Sequence, residues 1–254
     1  MTPTKLLKSA KVQYKTSLVT YIDILGFRRL LQEKSAGQIS RVLRVVKEAA
    51  RRDEKTEADF DRLYENFSDL TVRSVNVSSA DYVRLHPALL EYELESIAKV
   101  QIELLQKHHI LIRGGIALGQ LAKSWGLVYG AGLVNAYELE TKAKHPRIAI
   151  HDDLIRIVES VPEGRRFASL LTNLISSDKG CHFVDYFRYA WRHFEEGDDL
   201  LDFAAQHKTV IEEGLARFAS EPKTEAKFKW LKRYHNSTIQ LMPLPAMVDD
   251  YLVG

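Results

Sequence analysis

A single acidic residue interrupts the most strand-like apolar stretch of the sequence. Residues 17–30 read SLVTYIDILGFRRL, in which Asp23 stands among β-branched and aromatic residues and Gly26 ends the run. A carboxylate within a buried strand is costly unless it is paired or bound to a metal. The glycine permits a tight turn, after which a helix can direct its free N–H groups at an anion. The stretch therefore predicts either a metal-assisted phosphate site or a strand-end aspartate that caps a helix.

Composition restricts the class of protein. The chain has 254 residues, of which 45% are hydrophobic and 28% charged, as is typical of a soluble globular protein with one large domain. A net charge of +2 argues against direct nucleic-acid binding. The single cysteine, Cys181, excludes an intramolecular disulfide and is typical of a reducing compartment. Since no apolar run approaches the roughly 20 residues that span a bilayer, we expect a cytoplasmic protein without a membrane segment.

Hydrophobic periodicity predicts the order β-α-β-β-α-β-β-α-β over residues 17–150. The first strand is the apolar run that begins at residue 17, and further strands are predicted at 60–67, 70–77, 110–118, 125–129 and 146–150. Helices are predicted at 37–51, 87–109 and 131–144. This order indicates an α/β sandwich with a ferredoxin-like sheet.

The pattern changes after residue 151. Helices are predicted at 152–160, 165–176, 198–219 and 223–239, with one strand-like segment at 182–187. No Gly/Ser-rich linker separates the two halves. We therefore expect a basic lead-in at 1–16, the α/β core at 17–150, and a mainly helical extension at 151–254 that packs on the core.

Two acidic residues are candidates for metal binding. Asp23 and Asp69 each end a predicted strand, and those two strands are neighbours in a ferredoxin-like sheet. Their carboxylates, with the backbone carbonyl of Ile24, can hold two Mg²⁺ or Mn²⁺ ions, which prefer oxygen ligands. Such an ion pair clamps the attacking and leaving oxygens of an in-line displacement at phosphorus.

Four motifs carry a resemblance to a known family. They are DILGF around Asp23, FSD ending at Asp69, IRGGIALG at 112–119 and YGAGLVNAYELE at 129–140. In this order they resemble the class III nucleotidyl cyclases, and most of all the stand-alone pyrimidine cyclases of bacterial Pycsar anti-phage systems. The extension is similar to that branch at FVDYF (183–187) and KWLKRYHN (229–236).

The resemblance implies a class III cyclase catalytic domain at 17–150, in a homodimer with active sites at the subunit interface. Asp23, Asp69 and the Ile24 carbonyl would bind two Mn²⁺ or Mg²⁺ ions, and the Gly26 and Phe27 amides would bind the β- and γ-phosphates. The ribose 3′-oxygen of a nucleoside triphosphate would attack the α-phosphorus, giving a 3′,5′-cyclic nucleotide and pyrophosphate. The product would be a second messenger in phage defence, sensed by a separate effector.

The sequence departs from the family at one catalytic position. Many class III cyclases carry an Asn and, four residues later, an Arg that stabilise the transition state. Here Asn135 is followed four residues later by Leu139. If the sequence is instead aligned on the pair Leu139-Glu140, Glu138 stands at the arginine position. Loss of such a donor costs about 10²–10³ in rate. Either the chemistry is slow or another cation substitutes. The candidates are Arg113, Lys142 and Arg147.

The residues before Asp69 are candidates for contacts with the base. By the family pattern Glu65, four positions before the acid, reads the base, and Tyr64 and Asn66 flank it. Strand alternation puts Glu65 on the face of Asp69, and Tyr64 and Asn66 on the opposite face. We expect UTP as the substrate and cyclic UMP as the product. The alternatives are a cytidylate cyclase, an adenylate cyclase and a cyclase-fold protein that binds nucleotide without turnover.

Overall fold

A computed structural model describes residues 12–51, 62–77, 87–124, 126–160, 172–194, 197–242 and 248–254. The strands in these ranges are β1 Lys15–Ile24, β2 Arg62–Phe67, β3 Leu70–Asn76, β4 Ile112–Ser124, β5 Leu127–Tyr129, β6 Ile148–Ile150, β7 Ile175–Asp178 and β8 Cys181–Val184. The helices are α1 Phe27–Glu33, α2 Ala36–Arg51, α3 Pro87–His108, α4 Ala131–Ala143, α5 Asp152–Ser160, α6 Tyr186–His193, α7 Gly197–Arg217, α8 Pro222–Leu241 and α9 Val248–Tyr251. None of these helices has both the length and the apolar character needed to cross a bilayer.

The strand order confirms the predicted fold class. The sheet runs β2-β3-β1-β4-β6-β8-β7, and β5 pairs with β4 outside this path. The first four strands pair antiparallel, with β1 between β3 and β4. This arrangement, with helices between β1 and β2 and between β3 and β4, is the ferredoxin-like split βαβ pattern. The protein is thus an α/β protein with a ferredoxin-like core and a mainly helical C-terminal part.

The two faces of β1 bury their side chains in different layers. Leu18, Ile22 and Ile24 belong to the main core, which includes side chains of α2 and α3. On the other face, Val19 packs in a smaller cluster with Ala136 of α4. Because successive strand residues alternate between faces, Asp23 points to the α4 side.

The C-terminal part differs from the prediction in two places. Residues 175–176, predicted to be helical, belong to β7, and the predicted strand at 182–187 ends at Val184. It ends there because Asp185 caps α6, its Oδ1 accepting a hydrogen bond from the Arg188 amide at 3.0 Å. Since β8 pairs with β6, the extension continues the sheet of the core, and the division at residue 150 stays a prediction.

Parts of four predicted segments lie outside the described residues. They are 1–11 of the lead-in, 60–61 of the second strand, Trp125 of the fifth strand, and 165–171 of the helix predicted at 165–176.

Candidate active site

The register of three strands brings the candidate catalytic residues together. Asp23 lies opposite Leu70 on β3 and opposite Arg113 on β4. Asp69 precedes Leu70 in the turn between β2 and β3, where Ser68 adopts a φ of 57°. Asp23 is therefore flanked by a carboxylate on one side and a guanidinium on the other.

Arg113 is shared between two carboxylates. Its Nη2 and Nε atoms lie 2.7 Å and 2.8 Å from Asp23 Oδ2. The same Nε lies 2.8 Å from Oε1 of Glu140, a residue of α4 that is only 4% exposed. A buried carboxylate needs a positive partner, so Glu140 fixes the guanidinium against the end of β1.

The electrostatics of the site favour an additional positive charge. Burial raises the pKa of Asp23 to about 6; Arg113 opposes this shift, and the neighbouring Asp69 carboxylate adds to it. Burial, together with the charge of Asp23, also raises the pKa of Tyr21 to about 12. The two aspartates are thus close enough to repel each other, and a bound cation would relieve that repulsion.

The oxygen ligands offered by the site fit a hard divalent cation whose coordination shell is only partly supplied by the protein. Within the described ranges no group of three or more His, Cys, Asp and Glu side chains could hold a metal ion. Asp23 and Asp69 supply carboxylate oxygens, and Ile24 buries its side chain, so only its backbone carbonyl is available. Mg²⁺ is commonly held by one or two carboxylates, waters and substrate phosphates. The residues present therefore fit Mg²⁺ or Mn²⁺, with waters and a phosphate group as the remaining ligands.

The three residues predicted to contact the base occupy different environments. Glu65 makes an ion pair of 2.6 Å with Lys123 of β4. Tyr64 is buried, with the Arg73 guanidinium 5.6 Å from its ring centre, away from Asp23. Asn66 accepts a hydrogen bond from Thr71 at 2.9 Å.

Asn66 nevertheless lies near one of the two aspartates. It lines a cavity of about 340 Å³ together with Asp69, Ile24 and Lys47. The hairpin turn therefore brings Asn66 to Asp69, whereas Tyr64 joins neither aspartate.

The remaining predicted residues surround this centre. Gly26 precedes α1 with a φ of 80°, a conformation that favours glycine, and the Phe27 side chain is buried in the core. Only the backbone of Phe27 is thus available to a ligand. Asn135 is half-buried on α4, and Glu138 on the same helix pairs with Lys142 at 3.2 Å on the surface. Besides Arg113 and Lys142, the third candidate cation was Arg147, which is buried and pairs with Asp178 at 3.3 Å.

Sequence reasoning missed two residues of this site. The sequence motif uses Glu140 only to align the chain with the family and predicts no role for it. Its signal is its position on the buried face of α4, where a carboxylate needs a positive partner. Lys123 follows Arg113 by ten residues on β4, so the period of two puts both on one strand face. That periodicity was the available signal for Lys123.

The structure is similar to several solved enzymes. The adenylyl cyclase CyaB from P. aeruginosa matches with 16% identity and a TM-score of 0.46, over 69% of this chain and 96% of that chain. A dimeric guanylyl cyclase domain of the RhoGC fusion protein from the aquatic fungus Blastocladiella emersonii matches with 14% identity and a TM-score of 0.45, over 69% and 96%. The similarity is to nucleotidyl cyclases. No protein-family model and no curated protein matches the sequence.

A bacterial light-regulated adenylyl cyclase matches with 11% identity and a TM-score of 0.44, over 80% of this chain and 59% of that chain. At these identities and TM-scores the matches do not establish the activity of this chain, which has to be argued from its side chains.

Proposed function

We propose that the protein is a metal-dependent nucleotidyl cyclase, which converts a nucleoside triphosphate to a 3′,5′-cyclic nucleotide and pyrophosphate. The observation that carries the proposal is the convergence of Asp23 and Asp69 beside Arg113. Two carboxylates that repel each other destabilise the protein unless a cation joins them. Their place at adjacent strand ends agrees with the sequence motifs that resemble class III cyclases.

In this proposal each residue has a defined role. Asp23, Asp69 and the Ile24 carbonyl would hold two Mn²⁺ or Mg²⁺ ions, which would supply charge neutralisation for the triphosphate and acidification of the ribose 3′-hydroxyl. The backbone amides of Gly26 and Phe27 bind the β- and γ-phosphates. Arg113, oriented by Glu140, carries positive charge to the α-phosphate.

The reaction breaks one bond to phosphorus as another forms. The 3′-hydroxyl gives up its proton, which in the overall balance passes through water to the departing pyrophosphate, and the 3′-oxygen bonds to the α-phosphorus. The bond from that phosphorus to the bridging oxygen breaks, and pyrophosphate leaves with the electron pair.

The preferred substrate in this proposal is UTP. Glu65 and Lys123 present an acceptor beside a donor, which matches the N3–H donor and the O4 acceptor of uracil. In cytosine, Glu65 would accept from the N4 amine and Lys123 would donate to N3. CTP is therefore the alternative substrate. Asn66, near Asp69 on the other face of β2, is a separate candidate donor to O4 for a base that binds on that face.

A homodimer with active sites at the subunit interface is part of the proposal. Support comes from large apolar side chains exposed on α4 and β5. They are Leu127, Tyr129, Val134 and Tyr137. Exposed apolar clusters of this kind mark interaction surfaces, and Asn135 lies among them, where it can reach the site of a second copy.

The biological role follows from the resemblance to Pycsar cyclases. We propose a cytoplasmic enzyme whose cyclic UMP is a second messenger in anti-phage defence and is sensed by a separate effector.

One observation favours a second candidate, a nucleotide-binding protein without turnover. Glu138, at the position of the family's transition-state arginine, pairs with Lys142 on the surface and brings no cation toward the site. The two candidates differ in whether a bound nucleotide is cyclised.

The deciding experiment is incubation of the protein with each of the four nucleoside triphosphates and Mn²⁺, analysed by mass spectrometry. We expect cyclic UMP from wild-type protein and none from Asp69→Asn. The matched control is Asp199→Asn, which changes an exposed acid in the first turn of α7. Full activity of Asp69→Asn would refute the two-carboxylate site, and nucleotide binding without any cyclic product would favour the second candidate.

A further inference from the structure

A cavity of about 420 Å³ lies between α1 and the C-terminal extension. Gly26, Arg28 and Arg29 line it from the core, and Arg217, Thr224 and Lys227 line it from the extension. We call this space the α1–α8 cavity. Its volume falls in the range of small-ligand sites. Four cations outnumber the two glutamates of the lining, Glu33 and Glu213, so the charge of the cavity favours an anionic ligand.

Two of the four cations have structural partners. Arg29 pairs with Glu221, and Arg217 pairs with Glu33, so each ion pair joins α1 to the extension. Both guanidinium groups also lie over the ring of Phe218, at 4.7 Å and 5.3 Å from its centre. These two arginines hold the walls of the cavity together.

The other two cations, Arg28 and Lys227, form no ion pair or hydrogen bond with any part of the chain that the structure describes. Lys227 is half-buried, and an ammonium group that is partly removed from water without a partner is destabilising. Such a charge is typical of a binding site, where the ligand supplies the missing partner.

The cavity adjoins the candidate active site along the chain, because Leu25 and Gly26 line it together with Lys227 and directly follow Asp23 and Ile24. Burial and then the positive charge of Arg113 lower the pKa of Lys227, whereas Glu140 and Asp23 act to raise it. The cavity and the candidate active site meet at this residue.

We propose that the α1–α8 cavity binds the pyrophosphate portion of a nucleoside triphosphate, with Lys227 and Arg28 as phosphate-binding residues. The identity of the ligand rests on the proposed cyclase function, whereas binding of a pyrophosphate group does not. In this arrangement the extension supplies positive charge to the β- and γ-phosphates, on a chain that carries Glu138 at the usual arginine position. Lysine and arginine bind phosphate oxygens through charge-assisted hydrogen bonds.

Calorimetric titration of the full chain with inorganic pyrophosphate in EDTA tests the site without metal or turnover. We expect wild-type protein to bind, and Lys227→Gln to bind about tenfold or more weakly, because a hydrogen bond to a charged group is lost. Lys227→Arg should restore most of the affinity. The matched control is Lys229→Gln on the same helix, since Lys229 pairs with Glu225 on the surface at 2.8 Å.

A thermal melt separates binding from folding. Removal of an unpaired half-buried charge should leave the Tm of Lys227→Gln unchanged or raise it. If the protein cyclises a nucleotide, Lys227→Gln should also raise KM by about tenfold.

The possible outcomes distinguish the two proposals. Absence of pyrophosphate binding by wild-type protein, or equal affinity in wild type and Lys227→Gln, would overturn the assignment of the cavity. Pyrophosphate binding that depends on Lys227, in a protein that cyclises no nucleotide, would support the cavity and refute the cyclase.

Discussion

A buried pair of histidines in the extension predicts that the protein loses stability in mild acid. His235 Nε2 lies 2.7 Å from the Tyr251 carbonyl, to which it must donate, so its Nδ1 is an acceptor. His207 Nδ1 donates to that atom at 2.9 Å, and its Nε2 accepts from the Tyr186 hydroxyl at 2.7 Å. The chain of hydrogen bonds thus fixes both tautomers. A further proton on His235 Nδ1 would set two N–H donors against each other, and a further proton on His207 would place a charge in a fully buried ring.

The sign and size of the effect follow from the pKa values. Burial lowers the pKa of His207 well below 6.5 and that of His235 to about 4. Because the unfolded chain binds these protons first, stability is complete above pH 6.5 and decreases as the pH falls below it. Between pH 7 and pH 5 each histidine should cost about 2 kcal/mol, and the pair about 4 kcal/mol, of the free energy of unfolding.

Urea denaturation at pH 7, 6 and 5, followed by circular dichroism, measures this loss. Two other groups contribute: burial also lowers the pKa of His145, whereas the raised pKa of Asp23 acts in the opposite direction. The contributions of His145 and Asp23 are the same in wild type and in His235→Gln. They therefore cancel when the free energies of unfolding of the two proteins are subtracted at each pH.

The variant should be less stable at pH 7 by about 1–3 kcal/mol, since His207 Nδ1–H loses its acceptor. Between pH 7 and pH 5 it should lose about 2 kcal/mol less than wild type. Parallel pH profiles of the two proteins would refute the neutral, hydrogen-bonded pair.

Three further variants test packing, assembly and buried charge. Gly115→Ala should lower the free energy of unfolding, measured in urea, by about 1–3 kcal/mol, because the added Cβ would lie 2.2 Å from a backbone oxygen of α4. In the control variant Gly37→Ala the added Cβ meets no atom within 4 Å. Tyr137→Glu, at a side chain 51% exposed, should shift a dimer to monomer in analytical ultracentrifugation, and an unchanged dimer would exclude this surface. Arg73→Met should cost about 3–5 kcal/mol in thermal or urea unfolding by leaving the buried Glu93 without its ion pair of 3.0 Å, and a smaller loss would contradict that reasoning.

The approach of the strand end with Asp23 to the hairpin turn with Asp69 was predictable from strand order, whereas the ion pair of Asp23 with Arg113 is a long-range contact. An acid at a strand end and a second acid in a hairpin turn need only the ferredoxin-like order to become neighbours, and the register confirms that Asp23 lies opposite Leu70. Strand alternation likewise separated Glu65 from Tyr64, whose ring packs against Arg73. In each case the period of two decides which way a side chain points.

The strand β7 was harder to predict because its polar residues obscure the alternation, whereas β8 overlaps the strand predicted at 182–187. Residues 175–178 read ISSD, and only Ile175 is buried in the core. The hairpin is formed by a turn in which Lys179 and Gly180 have φ values of 52° and 75°, and by pairing with β6. Tertiary pairing here outweighs the helical periodicity of the preceding segment.

The charged residues of the candidate site come from both sides of the domain boundary that the sequence predicts at residue 150. Asp23 is neutralised from β4 by Arg113, 90 residues later, and no local pattern specifies that distance. Lys227 approaches the same cluster from α8, far along the extension, where it resembles any surface lysine of an amphipathic helix. Because β8 continues the core sheet and the ion pairs of Arg29 and Arg217 join α1 to α7 and α8, the extension holds this charge in a fixed position. In the proposed cyclase, which carries Glu138 at the usual arginine position, positive charge can thus come from an element outside the core.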